Sequence, residues 1–168
     1  MEQFYTSNRN KNYYTCKVRF LSFMQQGEGV QFGCGIRRLE NESLQYHKGG
    51  IAITGTDDLG SYLTPNEGDP GLKEGVEEFL GIGLVEKDMY KPKFHFTESM
   101  GENYAFIMPL TDDLSYEFLA AGAWSEGAVL ASEKEFEKYV IDTAREYNNP
   151  LVIDSLIVEH KITDTKNE

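Results

Sequence analysis

The most constraining feature of this chain is a period of two. In Tyr14-Thr15-Cys16-Lys17-Val18-Arg19-Phe20, one face carries Tyr14, Cys16, Val18 and Phe20, and the other carries Thr15, Lys17 and Arg19. Side chains alternate across a β-strand, so this spacing predicts a strand buried on one side and wet on the other. Such a strand needs partners for its backbone groups and a second layer for its apolar face. Similar segments recur along the chain. Val30–Ile36 reads as a strand whose alternating Gly33 and Gly35 indicate close backbone approach or curvature. Ile51–Gly55, Phe79–Val85, Phe94–Glu98, Tyr104–Pro109, Tyr116–Trp124 and Leu151–Glu159 read as further strands, with an ambiguous one around Leu44 and Tyr46.

A helical period occurs once. Phe136, Tyr139, Val140, Ala144 and Tyr147 recur at three- and four-residue steps, with Glu133, Lys134, Glu137, Lys138, Asp142 and Arg145 on the other face. Ser132 with Glu135 reads as a capping box at the start, and Asn148-Asn149-Pro150 as the stop. The fold class this predicts is mainly β: an antiparallel β-sandwich with one covering α-helix. Residues 1–12, polar and rich in Asn, read as a flexible lead-in. Residues 13–160 read as a single sandwich domain, and 161–168 as a polar tail.

Charge narrows the partners. Twenty-eight acidic residues against 16 basic give a net charge of −12. Nucleic-acid phosphates and anionic membranes both need a basic footprint, so neither is expected as a partner. No apolar run approaches the length of a membrane span, and Met1–Asn10 lacks the basic and apolar regions of a secretory signal. Cys16 and Cys34, the only two cysteines, show no zinc-like spacing. They read as small buried hydrophobes, or as a cross-strand disulfide if their Cβ atoms face each other in an oxidising compartment.

The residues that could carry chemistry are few. Nucleophile-elbow, phosphate-loop and zinc-helix signatures are all missing. The GxG fragments at Gly33–Gly35 and Gly81–Gly83 lie in strand contexts and read as structural glycines. The irregular stretch from Thr56 to Gly75 holds Asp57, Asp58, Glu67 and Asp69. These carboxylates read either as solvated surface charge or as a calcium site; no other cofactor is expected. His95, between Phe94 and Phe96, and His47 read either as plain polar-face residues or as candidate general bases, and Glu126 is a further catalytic candidate with no assigned role. His160 reads as a surface residue near the tail. Trp124, the single tryptophan, ends an apolar strand. It reads either as a core aromatic or as a platform for a sugar ring, with Glu126 and His95 as polar contacts.

Four segments taken in order resemble a known group: Val30–Ile36, Gly81-Ile82-Gly83-Leu84-Val85, Ala120-Ala121-Gly122-Ala123-Trp124-Ser125, and the Phe136, Tyr139, Val140 helix leading to Asn149-Pro150-Leu151-Val152. Over roughly residues 13–158 they resemble the C-terminal part of an uncharacterised family, a domain of unknown function associated with bacterial polysaccharide degradation and galactose-mutarotase-like. The resemblance implies a supersandwich-like antiparallel fold, a carbohydrate context and a periplasmic or extracellular setting. It also implies longer relatives, so the chain is expected to be a partial module with a missing half or a homodimer partner. Two functions follow as expectations. One is a carbohydrate-associated module that binds a sugar or oligosaccharide, alone or within a larger carbohydrate-active enzyme. The other is a non-catalytic protein–protein interaction or structural domain.

Overall fold

A computed structural model describes residues 1–7, 9–22, 29–58, 77–97, 102–125 and 129–150. Their strands are β1 (Glu2–Ser7), β2 (Tyr13–Arg19), β3 (Gln31–Arg37), β4 (Glu40–His47), β5 (Gly50–Asp58), β6 (Glu77–Glu86), β7 (Lys93–Thr97), β8 (Asn103–Pro109) and β9 (Ser115–Trp124), followed by helix α1 (Glu133–Asn148). Six strands form one sheet in the order β1-β2-β9-β6-β5-β4, and three form a second in the order β3-β8-β7. Every pairing is antiparallel. The chain is thus mainly antiparallel β with a helix on one sheet, as the alternating pattern predicts.

Three layers stack in the order small sheet, large sheet, helix, and β6 shows how the sequence builds them. Its Leu80, Ile82 and Leu84 point between the sheets, where Leu84 joins Ile51, Ile53, Phe106 and Met108 in a buried core. Its Val85 points the other way, into a second core with Ala52, Leu119, Phe136, Val140 and Ala144. On that face Gly81 and Gly83 let the helix settle. A Cβ on Gly81 would lie 2.4 Å from Phe136 Cδ1, and one on Gly83 would lie 2.6 Å from Val140 Cγ2. Both distances are inside van der Waals contact, so the GxG fragment is a packing device.

Two local features differ from the sequence reading. The first is β1, which lies inside the stretch read as a lead-in and pairs with β2 from Glu2↔Arg19 to Ser7↔Tyr14. Phe4 and Tyr5 are both exposed, so this edge strand has no apolar–polar alternation to reveal it. The second is the helix start. Ser132 Oγ donates to Glu135 Oε2 at 2.8 Å, a side-chain pair in place of the reciprocal side-chain-to-amide bonds of a capping box. The other end is tied down as well: Asn148 Nδ2 donates to the Glu86 carbonyl at 3.0 Å, and Asn148 Oδ1 accepts from Asp88 N at 2.7 Å. The expected strand from Leu151 to Glu159 lies outside the described residues.

Candidate functional site

The two sheets are unequal in width. At roughly 4.8 Å between strands, six strands span roughly 24 Å and three span roughly 10 Å. Among the described residues, the small sheet therefore covers only part of the inner face of the large one. Beside β3 an open groove of about 800 Å³ remains. Its floor follows the inner face of β9, from Phe118 through Ala120 to Gly122, flanked by Leu80, Ile82 and Leu84 of β6. Tyr14 of β2 and Ser7 of β1 form one wall, and Cys34 and Ile36 of β3 form the other. The hollow exists because Ala120 and Gly122 are small where neighbouring inner positions are large.

Trp124 is the next inner-face position on β9 after Gly122, and its register partner is Leu80, a floor residue. It is 42% exposed, as is Tyr14. Tyr14 packs against Tyr5 with ring centroids 5.7 Å apart. Tyr14 thus stands on the groove wall, and the single indole lies one inner-face position beyond the last floor residue, Gly122, outside the lining itself.

The opposite end is closed. Phe32 stacks on Tyr116 with centroids 4.0 Å apart, and Phe20 meets both rings edge-on. There Glu86, register partner of Phe118, is fully buried. Neither of its carboxyl oxygens has a hydrogen-bond partner of ordinary geometry among the described residues. Burial pushes this carboxyl up to about 8, and only the nearby Cys34 thiol offsets that. Burial, and then Glu86, push the Cys34 thiol far above its ordinary range. Burial thus disfavours the thiolate form of Cys34 on the groove wall. Both cysteines are free thiols.

A second polar cluster lies on the helix side of the large sheet. Glu117 accepts hydrogen bonds from Tyr147 Oη at 2.7 Å and Lys87 Nζ at 2.8 Å. Burial pushes the Glu117 carboxyl up, but these two donors outweigh it and hold it below its ordinary value. Each charge in this cluster is already paired.

The remaining sequence candidates do not converge. His95 is exposed and pairs with Ala105 on the outer face of the small sheet, opposite Phe94, which packs toward the inter-sheet core. His47 is exposed at the β4–β5 hairpin, in register with Gly50, which sits under Ala144 of α1. Neither histidine shares a face with Trp124. Glu126, Glu67, Asp69 and His160 lie outside the described residues, as do the side chains of Asp57 and Asp58 at the end of β5. Among the described residues, no group of three His, Cys, Asp or Glu side chains is placed to hold a metal ion. No described helix is long and apolar enough to cross a membrane.

The groove itself went unread in the sequence, although two signals were present. Tyr14 lies on the apolar face of β2, and the small-residue run Ala120–Ala123 interrupts a strand of large side chains. Residues 8–153 match the family described as "Domain of unknown function (DUF4861)". The chain belongs to this family. No curated protein and no solved structure matches the chain. The family assignment carries no activity with it, so the function has to be argued from the groove.

Proposed function

We propose that this chain is a carbohydrate-associated module that binds a sugar or oligosaccharide in the groove. Its setting would be polysaccharide degradation and its architecture akin to the galactose-mutarotase-like supersandwich. The observation that carries the reading is a pair of half-exposed aromatic rings, Tyr14 on the groove wall and Trp124 one inner-face position beyond the floor residue Gly122. A pyranose ring has an apolar C–H face and a polar edge. Aromatic faces match the first, and the Tyr14 hydroxyl, the Ser7 hydroxyl and the Asn12 amide match the second. The reading is of binding, since among the described residues the lining side chains offer hydroxyl, amide and aromatic groups. Calorimetric titration with a panel of oligosaccharides tests it. We expect heat with at least one of them, and Trp124→Ala should weaken that binding by about tenfold or more. Absence of heat across the panel contradicts the proposal.

The second reading is an interaction domain, favoured by the largely apolar floor of Leu80, Ile82, Phe118 and Ala120. Light scattering coupled to size exclusion separates the two. A dimer that disperses on Ile82→Lys supports the interaction reading, whereas a monomer supports an open groove.

A further inference from the structure

We infer that the groove selects neutral glycans and rejects uronic-acid ones, an inference that rests on the carbohydrate reading above. The argument is one of charge. Among the described residues, the side chains lining the groove, such as Ser7, Asn12, Tyr14, Cys34, Ile82 and Phe118, carry no formal charge. A uronate carboxylate entering the hollow would leave water without meeting a Lys, Arg or His among those residues. An ionised group buried without a counter-charge is strongly disfavoured. The hydroxymethyl group of a neutral hexose at the same position needs only a neutral hydrogen-bond partner, which the serine, asparagine and tyrosine supply.

A second contribution acts at longer range. The chain carries a net charge of −12, so an anionic glycan is repelled before it arrives. The two contributions separate by ionic strength. Repulsion by the whole chain is screened by salt, with a Debye length of only about 3 Å at 1 M. The cost of burying an unpaired carboxylate in the hollow is screened much less.

The test uses the fluorescence of the chain's one tryptophan, which lies one inner-face position beyond the floor residue Gly122 on β9. Matched pairs of ligands share backbone linkage and length and differ only at C6: cello-oligosaccharides against oligoglucuronates, and manno-oligosaccharides against oligomannuronates. The expected result is saturable change with a neutral member and at least about tenfold weaker binding of its uronate, retained at high salt. Ser7→Lys, a change on the exposed edge strand, should narrow that gap by strengthening uronate binding. Uronates that bind as well as their neutral partners overturn the inference and leave the carbohydrate reading standing. A gap that vanishes at high salt also overturns it, because the lining would then contribute nothing. If neither member of any pair binds, the carbohydrate reading itself fails and the inference falls with it.

Discussion

Single residues decide how closely the layers approach. Gly81 has no room for a side chain under the Phe136 ring, so Gly81→Ala forces the ring or the helix to shift. We expect it to cost about 1–3 kcal/mol of stability in urea denaturation, the usual range for overpacking. An alanine at the open position Gly122, where the nearest atom is Gly81 O at 3.9 Å, should cost much less. Glu86 supplies a prediction of a different kind. Its carboxyl is raised from an ordinary 4.5 to about 8 in the folded chain, chiefly by burial. Between those values the folded chain keeps the proton and the unfolded chain releases it. The contribution of Glu86 to stability is therefore fully present below about 4.5 and is lost as pH rises toward about 8. The slope is at most about 1.4 kcal/mol per pH unit. Denaturation across that window should show stability falling with pH, and Glu86→Gln should flatten the curve. Glu117 acts in the opposite sense at the acid end. Its depressed value means that stability is lost when the carboxyl protonates as pH falls.

At the scale of elements, the clearest periodicities in the sequence were the most faithful. The stripe Phe136, Val140, Ala144 is the buried face of α1, with Thr143 buried beside it. The alternation in β2 places Cys16 and Val18 in the interior as the period of two requires. β1 was invisible because an edge strand exposed on both faces has no buried set to pattern. The ambiguous segment around Leu44 and Tyr46 proved to be all of β4. Only Leu44 and Tyr46 mark its inner side, and the register shifts between Glu40 and Ser43. The helix owes its place to tertiary packing more than to its cap, whose side chains are exposed and bond each other. Phe136→Ala, at a fully buried position over the two glycines, should therefore destabilise the chain by about 3–5 kcal/mol. Ser132→Ala should cost well under half of that in the same assay.

At the scale of the whole molecule, the site arises from a mismatch between sheets, which no local pattern encodes. Residue types and periodicity indicate two sheets and a helix. They do not indicate that, among the described residues, three strands face six, since that depends on which strands pair across long sequence separations. The same limit explains why Trp124 could be singled out from the sequence while the tyrosines, alanines and glycine that give it a groove could not. It also explains why His95, grouped with Trp124 as a sugar contact by residue type, lies on the outer face of the other sheet. The central claim is that ligand occupies the hollow over β9. Calorimetric titration of the glycan that binds best, compared across the wild type, Ala120→Leu and His95→Ala, tests it most directly. Filling the floor at Ala120 should weaken binding by about tenfold or more, while removing the outer-face imidazole should leave it unchanged. Binding that survives the filled floor but is lost with His95 would place the ligand on the other sheet and contradict the account.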